Sequence, residues 1–346
     1  MKNITKKITK LSAVLTASLL SASLPLTAMA AQNSPDDNTY QPKDVQTVDY
    51  KKSLTPEFAY SAEKWASLRD NIMEYGELAD LVHEYNPTVI SNRSTYKDQK
   101  NKNLNDIYDD YMKDIDDIWD QADSADNDIT WASLRYSAGL LTKQADNNYE
   151  DADMEKIQYD QQEAKLVYQA QEMMVSLKQS AYNLENLQST KELLQKQYEA
   201  AQAQLSVGMA TQTDVLTALK RVQDQDSAIL TAQKSQENVH RNLCLMLGWS
   251  ADAQPEIKEV PQPDLSRIDT LDPNADAQTA IDNNYDVKYY TKKAGNLASQ
   301  DLIESNQATL ANAKDTAVRS LKTQYNTVLT TRDALNAAKA QLQVAE

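Results

Sequence analysis

Apolar side chains recur at spacings of three and four along most of the chain, and this pattern predicts helices. A first helix is predicted from Pro56 to Tyr85, with Trp65, Leu68, Ile72, Tyr75 and Leu78 on its apolar face. The Asn86-Pro87 step predicts a break, because the residue before a proline avoids the α region. A second helix follows, and its apolar stripe is Leu104, Ile107, Tyr111, Ile115, Ile118 and Ala122.

The opposite face of this second helix is dense in aspartate. A calcium-binding loop is one interpretation, but the glycine and the spacing of an EF-hand loop are both absent. A solvated acidic face is the simpler interpretation, and we adopt it. The residues concerned are Asp106, Asp109, Asp110, Asp116, Asp117, Asp120 and Asp123.

The longest periodic stretch runs from about Asp146 to Val207, without glycine or proline before its end. At the rise of an α-helix, some sixty residues would extend about 90 Å. Another helix is predicted from about Thr213 to Leu247, with small alanines between its leucines. Narrow apolar seams of this kind are typical of antiparallel coiled-coil packing, so the fold class predicted is all-α, built from long helical hairpins.

The sequence LSVGMATQTDVLTA separates these two helices. Gly208 is suited to end the first helix in a left-handed conformation, which glycine adopts most readily. Thr211 lies three residues before Asp214, and this spacing before an apolar run predicts an N-terminal capping box. The stretch is therefore predicted to be the tip of a long helical hairpin.

Proline-rich residues 251–274 form a predicted connector, after which helical patterning resumes from 275 to Glu346. The sequence SLKQSAYNLENL from Ser176 resembles SLKTQYNTVL from Ser320, and LADLVHEYNP from Leu78 resembles DAQTAIDNNYDV from Asp276. We interpret residues 56–250 and 275–346 as two repeats. Because the last residues carry no stop signal, the second long helix is expected to be incomplete at Glu346.

The N-terminus has the pattern of an export signal. Lysines precede an apolar stretch that ends in Ala28-Met29-Ala30, so residues 1–30 are predicted to be a signal peptide and residues 31–55 an extended leader. Removal of four lysines with the signal would change the formal net charge from −16 to −20. Such a charge disfavours nucleic acid and anionic lipid as partners.

Few residues suit catalysis or metal binding. The chain has one cysteine and two histidines, and no nucleophile elbow, metal triad or glycine-rich loop occurs in it. His240 and Cys244 lie four residues apart, which is ligand spacing, but two residues do not make a zinc site. We interpret this pair as part of a packing seam, and we expect no enzymatic activity, cofactor or metal.

The tip and the two repeats resemble the TolC family of outer-membrane efflux proteins. The resemblance covers roughly residues 60–346. It rests on Val207-Gly208-Met209, Thr211, Asp214-Val215-Leu216, Ala218 and Leu247-Gly248, and on the proline-rich connector with its restart of the pattern.

The resemblance implies a TolC-like α-helical barrel protomer that forms a homotrimer around a tunnel. It also implies a periplasmic-type adaptor protein and an inner-membrane transporter as partners, and a location in the cell envelope, at the outer membrane. Val207, Gly208 and Met209 would contact the adaptor. Thr211 and Asp214 would cap the tip, and Asp214 would help hold the tunnel entrance closed.

The sequence departs from the family in two respects. Many relatives have arginine four residues before the tip glycine, where this chain has Gln204. Relatives also contribute two strands in each repeat, but the windows at about 110–150 and 295–320 show no clear strand pattern. The chain thus resembles a member in which these strands are shortened or missing, and a non-conducting extracellular scaffold or adhesin remains the alternative function.

Overall fold

The computed structural model describes residues 60–147 and 150–345. The signal peptide and leader predicted for residues 1–55 lie outside this part of the chain. The described residues are all-α apart from one two-residue strand pair, as the periodicity predicts. Ten α-helices occur there: α1 (Ala62–Ser67), α2 (Leu78–Tyr85), α3 (Pro87–Gln99), α4 (Leu104–Asp123), α5 (Asp128–Asn147), α6 (Ala152–Ser206), α7 (Gln212–Met246), α8 (Ala277–Asn283), α9 (Tyr285–Lys293) and α10 (Gln300–Ala345).

The single helix predicted from Pro56 to Tyr85 is wrong. Helix α1 ends at Ser67, and strand β1 (Ile72–Met73) and a short 3₁₀ turn come before α2. Strand β1 pairs in parallel with β2 (Glu256–Ile257), which belongs to the connector. An extended segment places the Met73 side chain, which is fully buried, in the core. Spacings of three and four between apolar residues are therefore also compatible with a short helix followed by a strand and a turn.

Asparagine forms the junction between successive helices at two places. Asn86 ends α2 and caps α3, with φ −69° and ψ 124°, and Pro87 begins α3. Asn284 joins α8 and α9 with nearly the same backbone angles, φ −70° and ψ 127°. The break predicted at Asn86-Pro87 is confirmed, whereas the continuous helical pattern predicted from 275 onward is interrupted at Asn284 and again at residues 294–299.

The residues between α3 and α6 form a helical hairpin in which α4 and α5 pack against each other. The two windows considered for strands, 110–150 and 295–320, are helical over almost all their length. The long helix begins at Ala152 rather than near Asp146, because Asp151 caps it by accepting a hydrogen bond from the Met154 amide. The seven aspartates of the predicted acidic face on α4 are all exposed, which agrees with a solvated face.

Helices α6 and α7 pack side by side in opposite directions. Lys191 of α6 lies 2.7 Å from Asp226 of α7, and Gln225 donates a hydrogen bond to the Leu187 carbonyl. Helix α7 starts and ends within one residue of its predicted bounds. It is shorter than α6, with 35 residues against 55, so the first part of α6 extends beyond it.

The main core lies at the end of α7 that is remote from the tip. It joins the middle of α6 to the last turn of α7, to α2 and to β1, and the connector residue Ala253 completes it. Its largest fully buried side chains include Met73, Leu78, Leu81, Met174, Leu243 and Leu247. From Leu177 to Gly208 the long helix continues for about 45 Å beyond this core.

Candidate functional site

The candidate site is the turn between α6 and α7. Gly208 has φ +75°, its amide donates to the Leu205 carbonyl, and the Met209 amide donates to the Gln204 carbonyl at 2.8 Å. This pair of bonds is a Schellman motif, which satisfies carbonyl groups that the end of a helix leaves without partners. The predicted role of Gly208 at the end of the helix is confirmed by this geometry.

Thr211 and Asp214 form the predicted capping box. The Asp214 amide donates to Thr211 Oγ1 at 3.2 Å, and the Thr211 amide donates to an Asp214 carboxylate oxygen at 2.8 Å. The Thr211 hydroxyl also donates to that carboxylate. These bonds lower the pKa of Asp214 below the usual aspartate value. The turn is thus fixed on both sides, by the Schellman motif at the end of α6 and by the capping box at the start of α7.

The tip exposes apolar side chains in an uncharged setting. Val207 is 69% exposed and Met209 is 79% exposed, on either side of Gly208. No charged residue occurs between Glu199 and Asp214, in a chain that is 25% charged overall. Exposed apolar groups without neighbouring charge are suited to contact another protein and unsuited to hold an ionic ligand. All five predicted tip residues therefore lie together at one end of the α6–α7 pair.

The long helices also expose apolar side chains at regular intervals along their length. The exposed side chains recur every seven residues, which is the repeat of helices that pack along a common seam. On α6 they are Tyr168, Val175 and Tyr182, and on α10 they are Val328, Leu335 and Leu342. The seven-residue spacing of these positions is visible in the sequence, but spacing alone does not distinguish them from positions in the intramolecular seam.

His240 and Cys244 lie beside each other on α7, with the sulfur 3.9 Å from both ring nitrogens. Cys244 is fully buried in the main core, and this burial raises the pKa of its thiol to about 11. A thiol in that state is an apolar packing group rather than a nucleophile. Among residues 60–147 and 150–345, no cluster of three or more histidine, cysteine or acidic side chains is arranged to hold a metal ion.

A polar joint connects the start of α6 to α9 and the turn after it. Lys292 lies 2.8 Å from Asp153 and 3.3 Å from Asp151, and Asn296 donates to Asp151. Burial alone would raise the pKa of Asp151, but the bonds from Asn296 and the Met154 amide, together with Lys292, hold it below its usual value. The Tyr289 hydroxyl donates to Glu150. Sequence reasoning did not predict this joint, because its members are about 140 residues apart.

Comparison with protein-family models, with curated proteins and with solved structures yields no match to this chain. In the part of the chain that the structure describes, none of the helices has both the length and the apolar character needed to cross a membrane.

Proposed function

We propose that this protein is an exported, TolC-like duct component of the cell envelope. Three copies would place their long helices around a tunnel for efflux or secretion. The tip formed by Val207, Gly208 and Met209 would bind an adaptor protein that links the duct to an inner-membrane transporter. The chain itself would carry out no chemical step.

The exposed seven-residue stripes carry this proposal. Within one copy, α6 packs against α7, yet Tyr168, Val175 and Tyr182 still lie on its surface. Helix α10 likewise leaves Val328, Leu335 and Leu342 exposed. Apolar side chains at this spacing are favourable when another helix covers them. Neighbouring copies in a ring would supply such helices on both sides of each protomer.

The order of the helices supports a protomer built from two repeats. The two asparagine junctions have nearly identical backbone angles, and each is followed by a helix that contacts a long one: α3 contacts α6, and α9 contacts α10. In a protomer of two repeats, α2, α3 and α6 of the first repeat correspond to α8, α9 and α10 of the second. The α4–α5 hairpin is then an insertion in the first repeat.

The tip supports the proposed adaptor contact. Its apolar side chains project from a turn that two capping motifs hold in place, so little conformational entropy would be lost on binding. The apolar side chains of Val207 and Met209 would bind an uncharged apolar partner surface. Gln204 fits this character, since it removes the charge that many relatives carry near the tip.

A non-conducting extracellular scaffold is the second candidate. The largely helical conformation of residues 110–147 and 295–320, where the resemblance implies strands, favours it. A scaffold could use the same stripes to form a solid bundle of helices.

Light scattering combined with negative-stain images tests the two candidates. The duct predicts a mass equal to a multiple of three copies and end views with a central hole. The triple variant Val328→Ser, Leu335→Ser, Leu342→Ser should lose this assembly while it keeps its helical circular dichroism. The matched control Asn326→Ser, Thr330→Ser, Ala337→Ser, on the opposite face of α10, should keep it. A monomer, or a bundle without a hole, would contradict the duct.

A further inference from the structure

Helix α5 is apolar on two opposite sides. Successive residues of an α-helix are rotated by about 100°, so residues four and seven apart lie on one side. One side packs against α4, and it holds Leu134, Ala138, Leu141 and Ala145. A helix in a two-helix hairpin needs only one such side, and a helix that is apolar on both sides is normally covered on both.

The outer face of α5, which points away from α4, is formed by Ile129, Ala132, Tyr136, Gly139, Leu140 and Lys143. Ile129 is 83% exposed, Tyr136 is 69% exposed and Leu140 is 50% exposed. Between them lie Ala132 and Gly139, and no atom lies within 4 Å of the place where a side chain on Gly139 would begin. Small residues between large ones allow the backbone of a second helix to approach closely.

Charge decides which kind of partner fits the outer face. The hairpin is strongly acidic, but most of its aspartates lie on the exposed side of α4. On the outer face itself the charged residue is Lys143, near one end; Asp128 borders Ile129 at the other end, and Arg135 and Asp146 lie on the same flank of α5 as Asp128. A helix that brings an acidic residue to Lys143 and a basic residue to Asp128 would complement the outer face.

We propose that the outer face of α5 binds the same face of a second copy of this chain, with the two helices antiparallel and Tyr136 near the two-fold axis. In this arrangement Lys143 of each copy lies opposite Ile129 and close to Asp128 of the other. A parallel arrangement would place like charges together at each end. Such a contact is self-complementary, so it joins copies in pairs. It does not depend on the proposed duct, because it uses different helices.

Disulfide formation between single-cysteine variants of the full chain tests the contact and its direction. Tyr136→Cys should form a covalent dimer under mild oxidation. Neither Ile129→Cys nor Lys143→Cys should do so alone, but a mixture of the two should, because these positions face each other only in the antiparallel pair. The parent, whose native Cys244 is buried, and Ser137→Cys, on the flank of α5, are controls.

Other cross-linking patterns would overturn the proposal. Dimers of Ile129→Cys alone and of Lys143→Cys alone would indicate parallel helices. The absence of cross-links in every variant would show that the outer face does not bind a second copy. Sedimentation of the parent with phosphatidylcholine vesicles, lost in Tyr136→Asp and kept in Ser137→Asp, would show that this face binds a membrane instead.

The mass in solution gives a separate readout. Tyr136→Asp should halve the mass of the parent assembly with unchanged circular dichroism, and Ser137→Asp should leave it unchanged. If the duct is correct, the mass falls from six copies to three and the central hole persists. If the duct is wrong and the α5 contact is correct, it falls from two copies to one. An unchanged mass in Tyr136→Asp would overturn the α5 contact.

Discussion

Gly248 and Gly208 have the same left-handed conformation in different surroundings. Gly248 has φ +85°, and a Cβ atom built on it would lie 2.5 Å from the Tyr85 Cβ. A Cβ on Gly208 would meet open space. The glycine at the end of α7 is therefore required by packing as well as by backbone conformation, whereas the tip glycine is required by conformation alone.

Alanine substitutions should separate these two requirements. Gly208→Ala should lower the free energy of unfolding by about 1–2 kcal/mol, the strain of one left-handed residue. Gly248→Ala should lower it by about 2–5 kcal/mol, because the new methyl group also overlaps Tyr85. Urea titrations of the two variants and the parent provide the measurement. Equal losses would mean that Tyr85 moves aside without strain.

At the scale of helices, Asn86 and Asn284 have the same backbone conformation but make different contacts. The side chain of Asn86 accepts from the Thr88 amide and donates to the Met246 carbonyl at 2.9 Å, and it is buried. Asn284 accepts from the Val287 amide at 3.0 Å. Asn86 therefore caps α3 and ties it to the end of α7.

Replacement of each asparagine by alanine should show that Asn86 contributes more to the free energy of unfolding than Asn284 does. Asn284→Ala should reduce the free energy of unfolding by about 1 kcal/mol, the usual value of a helix cap. Asn86→Ala should reduce it by about 2–4 kcal/mol, since a buried carbonyl also loses its partner. Differential scanning calorimetry, with the two variants in one buffer, distinguishes the values. A smaller loss for Asn86→Ala than for Asn284→Ala would contradict the role given to the Met246 contact.

Elements with strong local signals could be predicted from the sequence, and the others could not. Helix α7 and the tip have a glycine, a capping box and a regular apolar seam, and their predicted bounds are nearly correct. Around Ile72 the spacing is equally helical, but burial of Met73 beside the connector imposes a strand. The polar joint at Asp151 and the outer face of α5 depend on which surfaces pack together, and the local pattern does not contain that information.

For the molecule as a whole, the polar joint makes the attachment of α9 to α6 sensitive to acid. The pKa of Asp151 is lower in the folded chain than in the unfolded chain, where it is about 4. The ionised carboxylate therefore stabilises the fold fully above the unfolded pKa, and this stabilisation is lost as the pH falls through the folded pKa. Amides of α9 should therefore exchange hydrogen faster in acid than at neutral pH, beyond the chemical change in rate.

Variants identify the carboxylate responsible. Asp151→Asn should reduce the protection of α9 at pH 7 and show little further loss in acid. Asp153→Asn, which removes the more exposed partner of Lys292, should keep most of the parent's pH dependence. Hydrogen exchange followed by mass spectrometry at several pH values provides the measurement. Parent-like protection in Asp151→Asn at pH 7 would assign the joint to other contacts.

The distance from the core to the tip gives α6 and α7 the mechanics of a lever. The two helices are anchored among Met174, Leu177 and Leu243, in the middle of α6 and at the end of α7, and Gly208 lies about 45 Å farther along them. A rotation of about 5° in this anchored region would displace Gly208 by about 4 Å, about the width of a methyl group. Small changes in the packing around Gly248 and Tyr85 would thus be amplified at Val207 and Met209, so substitutions far from the tip can change where it points.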